Sequence, residues 1–283
     1  MPELPEVEHA ARQLRAWMEG RRVVKAAAER CRVLRGQSPQ RFASALAGRT
    51  LQSVERRGKY LLLAFDRDVG LLAHLGMTGK LVLRRRGEKA PYSRARFELD
   101  DGQAVHLRDP RKFGRLTLAS ANGLAALPAI ASLGPDAWEE PPTLQSLAGR
   151  FARTRRPVKV ALMDQTVLAG LGNIQVAEAL FRAGLDPRRP AHLLRAEELG
   201  RLAAAIRESL AYTLARLTPV QGDLAYVEEP GTANPFLVYG RVGEPCPRCG
   251  QRLRSIVQGA RTTHYCARCQ APPLPLRRSA TGR

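Results

Sequence analysis

Two pairs of cysteines near the end of the sequence constrain the fold of this chain more than any other feature. Cys246 and Cys249 form one C-x2-C pair, and Cys266 and Cys269 form a second pair 16 residues further on. Thiolates at this spacing suit the tetrahedral coordination of one Zn²⁺ ion. Two disulfides are the alternative, but disulfides are rare in a reducing compartment. The spacing therefore predicts a zinc ribbon with one structural ion, and Cys31 is left as a buried structural thiol.

The charge balance predicts a polyanionic partner. The 283 residues include 46 Lys and Arg against 26 Asp and Glu, which leaves a formal net charge of +20. Nucleic acid is the commonest partner of so basic a protein, and an anionic membrane surface is the alternative. No apolar run reaches the ~18 residues of a membrane-spanning helix, and the N-terminus lacks the apolar core of a signal peptide. We therefore expect a cytoplasmic protein that binds nucleic acid.

The hydrophobic pattern changes along the chain and indicates several structural units. From about Val23 to Ala119, short β-rich runs are separated by turn residues, as in a sandwich or barrel. Later, apolar residues recur at helical spacing in stripes that begin at Leu144, Ile174 and Leu199. The predicted units are a strand-rich domain with a leading helix (1–132), a proline-rich acidic hinge (133–143), a helical domain (144–238), the zinc ribbon (239–270) and a disordered basic tail (271–283).

The N-terminal sequence MPELPEVE has two interpretations. Pro5 and the nearby acidic residues suit the first turn of a helix, but they leave Pro2 and Glu3 unexplained. If Met1 is removed, Pro2 becomes a terminal secondary amine. Because α-amino groups have pKa values near ~8, its nitrogen is then a usable nucleophile at neutral pH. The octapeptide alone favours the simple helix start, so the rest of the chain must decide.

Six motifs stand in the order of one known family: MPELPEVE, RRGKYLLL, HLGMTG, DPRKFG, LMDQTVLAGLGNI, and VYGRVGEPCPRCG followed by RTTHYCARCQ. From Met1 to about Gln270 the chain therefore resembles the formamidopyrimidine-DNA glycosylase and endonuclease VIII family of bacterial base-excision repair enzymes. The resemblance implies an α+β protein with an N-terminal β-sandwich, a C-terminal helical domain with a helix–two-turn–helix module, and a C-terminal β zinc ribbon. It also implies a monomeric DNA glycosylase and abasic-site lyase, with duplex DNA between its two halves.

The resemblance places the chemistry at the N-terminus. Pro2 would attack C1′ of the deoxyribose as the base leaves, giving a covalent iminium ion, and Glu3 would assist by proton transfer. Successive eliminations would then cleave the 3′ and 5′ phosphates. Lys59 matches the family's lysine near the lesion, and Arg261 matches its arginine on the phosphates that flank the flipped nucleotide. For Glu6, a direct role and a role at the helix start stay equally open.

The resemblance also indicates which residues would hold the DNA. Met77, Arg111 and Phe113 match the set that enters the base stack when the damaged nucleotide is swung out. Asn173 follows a Gly-x-Gly turn, where a plain helix cap and a phosphate contact are both open. Further contacts to the DNA backbone are expected from the basic residues upstream, which are Arg153, Arg155 and Lys159.

Three features depart from the family pattern. Tyr92 stands where the family commonly has a histidine, with Arg94 nearby, and either side chain can contact a phosphate. Gln175 stands where a tyrosine is usual, and the loop after Gly222 lacks the family's second glycine and Thr/Ser pair. The insertion set favours oxidised purines (8-oxoguanine and formamidopyrimidines), whereas the altered loop leaves room for oxidised pyrimidines. A non-catalytic binder of damaged DNA on the same scaffold is the alternative from another class.

Overall fold

The N-terminal region is a β-sandwich of two antiparallel four-stranded sheets. Its strands are β1 (Val23–Ala28), β2 (Leu51–Arg57), β3 (Tyr60–Phe65), β4 (Val69–His74), β5 (Lys80–Arg85), β6 (Ser93–Leu99), β7 (Gln103–Arg108) and β8 (Arg115–Ser120). One sheet has the order β1-β6-β7-β5 and the other β2-β3-β4-β8. Alternate side chains of a strand point to opposite faces, and the inward set, including Phe65, Val105 and Leu107, forms one apolar core. The computed structural model describes residues 2–217 and 223–271.

The first helix, α1 (Leu4–Met18), belongs to two cores at once. Val7 and Leu14 pack into the core of the sandwich, whereas Leu4 at its first turn packs into the core of the helical region. The other helices are α2 (Pro39–Leu46), α3 (Pro128–Ala131), α4 (Leu144–Phe151), α5 (Val158–Leu162), α6 (Asn173–Ala183) and α7 (Ala196–Arg216). Because α1 contacts both units, its first residues lie between them.

The helical region is built on the pair α6 and α7. Phe151, Leu180 and Ile206 are buried in its core. The helix α6 ends at Gly184, whose φ of 67° is left-handed, a conformation that glycine adopts without a Cβ clash. The buried Gln175 side chain joins the two helices, since its amide donates to the Thr213 hydroxyl at 2.9 Å. The residue that departs from the family pattern at 175 therefore has a structural partner.

The ribbon is a hairpin of β9 (Arg254–Gln258) and β10 (Arg261–Tyr265). Cys246 and Cys266 are buried together with Phe181 of α6 in a small apolar cluster. The ribbon is thus packed on the helix that begins next to Glu3.

The architecture confirms the predicted α+β class with its sandwich, helical region and ribbon. The apolar stripes that begin at Leu144, Ile174 and Leu199 lie in α4, α6 and α7. The helix α2 is missing from the sequence prediction, although its signals are present. Ser38 caps it by accepting the Arg41 N–H at 3.1 Å, and Pro39 occupies its first position.

Three other expectations concern Cys31, the C-terminal tail and membrane-spanning helices. Cys31 is half-buried and packs against the sandwich core. The predicted tail at 271–283 lies outside the described residues except for Ala271. Among the helices in 2–217 and 223–271, none is both long enough and apolar enough to cross a membrane.

The segment interpreted as a hinge is fixed by buried ionic contacts. The carboxylate of Asp136 accepts hydrogen bonds from Arg56 at 2.6 and 3.1 Å and from the Gly58 N–H at 2.7 Å. Arg56 also donates to Glu8 of α1 at 3.0 Å. Burial raises the pKa of Asp136, but the bonds and charge of Arg56 outweigh burial, so the net shift is downward. The connection between the two units is therefore a rigid joint.

We expect Asp136→Ala to lower the free energy of unfolding by roughly 3 kcal/mol or more, because it leaves the buried Arg56 charge without its main partner. The matched control is Glu140→Gln. Its ion pair with Arg57 crosses the same joint at 2.5 Å but is partly exposed, so the expected loss is about 1 kcal/mol or less. Urea unfolding followed by circular dichroism compares the two variants. Equal losses would contradict the special role of the buried pair.

Candidate active site and nucleic-acid interface

The carboxylate of Glu3 lies at the start of α6, far away in sequence. It accepts hydrogen bonds from the backbone N–H groups of Gly172 (2.9 Å), Ile174 (2.8 Å) and Gln175 (3.0 Å). The first N–H groups of a helix have no partner inside the helix and lie at the positive end of its dipole. Glu3 is only 1% exposed, and Pro2 beside it is also buried. The N-terminal segment is thereby fixed to the helical region.

Two glycines before α6 make room for this contact. Gly170 has a φ of +103°, and a Cβ there would lie 2.4 Å from a methyl carbon of Leu4. A Cβ on Gly172 would lie 2.3 Å from the carboxyl carbon of Glu3. Real Cβ atoms do not approach so closely, so any larger residue at either position would push the N-terminal segment away from α6.

Glu6 lies one helical turn beyond Pro2 and next to Glu3. Its Oε2 accepts the backbone N–H of Glu3 at 2.9 Å. Burial, together with the nearby charge of Glu3, raises the pKa of Glu6 to about 7. A carboxyl group with a pKa near the working pH can donate a proton in one step and accept one in the next. The structure thus gives Glu6 the surroundings of an acid–base group in addition to its place at the helix start.

A cavity of about 150 Å³ opens beside Glu6. It is lined by Ile174 of α6, Thr213 of α7, and Tyr226 and Phe236 from the segment that follows α7. An apolar cavity of about 150 Å³ is large enough for a benzene ring. Apolar walls with a few polar groups, here including Glu6 and Arg216, are typical of small-molecule sites.

Three cationic side chains surround the same junction. Lys59 occupies the two-residue turn between β2 and β3, Lys159 lies in α5, and Arg261 begins β10. Burial lowers the pKa of Lys59, the charges of Glu3 and Glu6 oppose that shift, and Arg261 adds to it. Lys59 of the sandwich and Arg261 of the ribbon therefore lie near each other and near the start of α1.

A contact to the DNA backbone requires a side chain on the surface, and Lys159 does not lie there. It is fully buried, and its Nζ donates to the carbonyl of Gln258 at 3.4 Å, beneath the turn of the ribbon hairpin. Burial, with the charge of Arg261, lowers the pKa of Lys159 to about 8. Arg153 and Arg155 are exposed in the turn after α4 and keep the position expected of phosphate contacts.

Asn173 is the first residue of α6 and not its cap. Gly172 holds the cap position, so the interpretation of Asn173 as a plain helix cap is wrong. Its side-chain amide donates to the carbonyl of Thr262 in β10 at 2.9 Å. Together with Arg261 and Tyr239 it lines an open cavity of about 470 Å³ between α6 and the ribbon.

Two separate loops bring the predicted insertion residues together. Met77 is exposed in the turn between β4 and β5. That turn packs directly on the other loop, because a Cβ on Gly76 would lie 2.4 Å from the carbonyl carbon of Phe113. The ring of Phe113 lies 4.4 Å from the guanidinium of Arg32 and 4.8 Å from that of Arg111. The set forms one rim of the sandwich.

Tyr92 and Arg94 differ in their surroundings. Tyr92 is 56% exposed and has a left-handed φ of 60°. The guanidinium of Arg94 pairs with Glu29 and donates to the carbonyl of Asp109 at 2.8 Å. Tyr92 is therefore open to a ligand at the surface, whereas Arg94 is held by contacts within the protein.

His74 keeps the structural role expected of it. Its Nδ1 accepts the Gly76 N–H at 3.0 Å, which orients the turn that carries Met77. Burial, together with the charge of Lys59, lowers the pKa of His74 to about 4. The imidazole is therefore neutral at physiological pH.

Gly172 and Tyr226 are missing from the set of residues found by sequence. The Gly-x-Gly turn does signal a close approach to the backbone, but nothing local shows that the approaching group is Glu3. Tyr226 lies in the loop that departs from the family pattern. No period or motif places its ring in the cavity beside Glu6.

The four cysteines are arranged for one metal ion. The Sγ atoms of Cys246, Cys249, Cys266 and Cys269 all lie within 4.8 Å of one another. Backbone N–H groups donate to the sulfurs of Cys246 and Cys266 at 3.4 Å, which suits thiolates. A four-thiolate set fits Zn²⁺, and four protein ligands leave no open position for chemistry. The zinc ion is thus structural.

Three family models match successive parts of the chain. The formamidopyrimidine-DNA glycosylase N-terminal domain matches residues 1–116, the formamidopyrimidine-DNA glycosylase H2TH domain matches 133–219, and a zinc finger found in FPG and IleRS matches 243–272. The chain belongs to the formamidopyrimidine-DNA glycosylase family. This confirms the predicted family, its enzyme class and the zinc site.

Individual members of the formamidopyrimidine-DNA glycosylase family are similar over nearly the whole chain. The formamidopyrimidine-DNA glycosylase of Moorella thermoacetica is 40% identical, over 90% of this chain and 94% of its own. The crystal structure of MutM (Fpg) from Thermus thermophilus is 37% identical, with a TM-score of 0.80 over 95% and 98% of the two chains. Lactococcus lactis Fpg bound to DNA that contains Fapy-dG is 30% identical, with a TM-score of 0.84 over 95% and 100%.

Elemental analysis of the purified protein is expected to find one zinc per chain. We expect Cys269→Ser to lose the zinc and to unfold the ribbon, because binding of a structural zinc ion contributes directly to folding. Cys31→Ser is the matched control, since Cys31 lies outside the cluster, and it should retain the metal. Zinc-free wild-type protein that resists both chelators and thiol reduction would instead favour an organisation without metal.

Proposed function

We propose that this glycosylase excises oxidised purines from duplex DNA through Pro2 and then cleaves the strand at the abasic site. The observation that carries the proposal is the junction at Glu3. There the start of the chain, a carboxyl group with a pKa near 7, two cations and a ring-sized cavity lie together. Removal of Met1 leaves the Pro2 nitrogen as a secondary amine, the nucleophile that this chemistry needs.

The cavity beside Glu6 is the proposed site of the everted base. A damaged base inside a duplex is out of reach, so the nucleotide must leave the stack at a cost of a few kcal/mol. Met77 and Phe113 would fill the vacated space, and Arg111 would hydrogen-bond the orphaned partner base. Formamidopyrimidine is a ring-opened purine, and a relative binds DNA that contains it. That relative and the insertion set together favour purine lesions.

In the proposed reaction the Pro2 nitrogen bonds to C1′ while the C1′–N bond to the base breaks. The base departs with a proton, which Glu6 can donate because its pKa is about 7. The C1′–O4′ bond then breaks, O4′ takes up a proton and the Pro2 nitrogen gives up its own, so that the nitrogen and C1′ form an iminium ion. Glu3 is proposed to assist this ring opening by proton transfer. Loss of the C2′ proton then expels the 3′ phosphate, and loss of a second proton, from C4′, expels the 5′ phosphate.

The remaining cations are proposed to hold the DNA backbone. Lys59 and Arg261, which lie near each other at the junction, are proposed to contact the phosphates next to the flipped nucleotide. Asn173 lines the same cavity as Arg261, and exposed Arg153 and Arg155 extend the basic surface. Tyr92 is a proposed contact further along. We assign Arg94 and Lys159 to supporting roles, because one is paired with Glu29 and the other is buried under the ribbon.

We further infer that the protein works as a monomer on bacterial DNA in the cytoplasm. The relatives are bacterial, and a net charge of +20 favours a polyanion. The structure offers no feature that favours the non-catalytic alternative within the described residues, since the arrangement at Glu3 and Glu6 serves chemistry more directly than binding.

Borohydride trapping tests the nucleophile. We expect a covalent adduct with a duplex that contains 8-oxoguanine opposite cytosine, because borohydride reduces the iminium ion. After trypsin digestion, mass spectrometry should find the adduct on the peptide Pro2–Arg12. The internal control is Lys59, the other amine at the junction. An adduct on the peptide that contains Lys59, or no adduct on any oxidised or abasic duplex, would contradict the proposal.

The pH dependence of base release tests Glu6. A proton donor acts in its protonated form, so base release should fall as the pH rises through about 7, the pKa of Glu6. We expect Glu6→Gln to be slow and to lose that part of the pH profile. Glu228→Gln, at the exposed rim of the same cavity, should keep it. Loss of the proton from the Pro2 amine opposes this fall in the wild type, so the comparison of variants decides. A Glu6→Gln profile that still falls as the pH rises through about 7 would exclude Glu6 as the donor.

A further inference from the structure

The segment 223–229, which lines the base cavity, is tied to strand β5 of the sandwich. Lys80 is buried at the start of β5. Its Nζ donates to both carboxylate oxygens of Glu229 at 2.9 Å and to the carbonyl of Leu224 at 2.9 Å. Hydrogen bonds between charged groups are about twice as strong as neutral ones. This is therefore more than a loose surface ion pair.

Two further contacts reinforce the same attachment. Arg84 pairs with both oxygens of Asp223 at 3.1 and 2.6 Å. The hydroxyl of Tyr226 donates to the carbonyl of Gly79 at 2.5 Å, while its ring lines the cavity. We call the contacts of Lys80, Arg84 and Gly79 with segment 223–229 the clasp.

The clasp ends on the turn that carries Met77. Gly79 closes that turn by donating its N–H to the carbonyl of Leu75 at 2.9 Å, and a Cβ on Gly79 would lie 2.2 Å from the same oxygen. The turn is therefore compact, and the Tyr226 hydroxyl is bonded directly to it. Any displacement of the turn when Met77 enters the duplex acts directly on Tyr226, one wall of the base cavity.

We infer that the clasp positions the everted base by coupling insertion of Met77 to the position of the cavity wall. With the clasp closed, the everted base contacts a cavity wall that the sandwich holds in place. With the clasp open, the position of the wall no longer depends on insertion of Met77. The everted base is then held less well for attack at C1′. This inference rests on the proposed function and adds Lys80, Glu229 and Tyr226 to it as positioning residues.

Two rates measured on matched duplexes separate this role from a merely structural one. The first is base release from 8-oxoguanine opposite cytosine. The second is strand scission at a preformed abasic site, which has no base to occupy the cavity. For Lys80→Met we expect base release to fall by roughly tenfold or more, with scission changed by about twofold at most. Lys80→Arg keeps the charge and should restore most of the base release.

Glu229→Gln should reproduce the selective loss, whereas the matched control Glu98→Gln should not. Glu98 pairs with Arg96 at 3.2 Å on the sandwich, away from the base cavity. If Lys80→Met leaves the ratio of the two rates unchanged, whether both fall equally or neither falls, the inference is overturned while the proposed function stands. A wild-type protein that releases no base overturns the proposed function and the inference together.

Discussion

The contact between the Glu3 carboxylate and the N-terminus of α6 determines where the first residues of this glycosylase lie. A helix start offers unpaired N–H groups and a partial positive charge, and here a residue from the other unit supplies the acceptor. The contact requires glycine at 170 and 172, and it draws Leu4 into the helical core. The first residues of the chain are thereby held at the boundary between two units instead of extending into solvent.

A fixed negative charge at that boundary has consequences for its neighbours. Burial and the charge of Glu3 together raise the pKa of Glu6 to about 7, while the same charge opposes the downward pKa shifts that burial produces at Lys59 and Lys159. One buried carboxylate thus favours the protonated form of each group around it, which is the neutral form of Glu6 and the charged form of the two lysines.

The sequence predicts those parts of the molecule that depend on local spacing. The cysteine pairs predict the ribbon, and the apolar stripes predict α4, α6 and α7, because the ligand geometry of zinc and the period of a helix are both local. The sequence does not predict that Gly172 and not Asn173 caps α6, since the capping carboxylate comes from Glu3. Nor does it predict the burial of Lys159, which depends on how the ribbon packs. Long-range contacts of this kind leave no periodic signal.

The Arg56–Asp136 pair joins the sandwich to the helical region, and the clasp joins it to segment 223–229. The two contacts differ in burial and therefore in strength. The Arg56–Asp136 pair is buried and has satisfied partners on both sides, so it forms a permanent joint. Glu229 in the clasp is partly exposed, so water can compete for its carboxylate and opening costs less. A molecule that must admit a duplex and then close on one nucleotide needs this combination. The joint keeps the N-terminus aligned with α6, while the weaker contact lies beside the cavity next to Glu6, at the proposed site of the everted base.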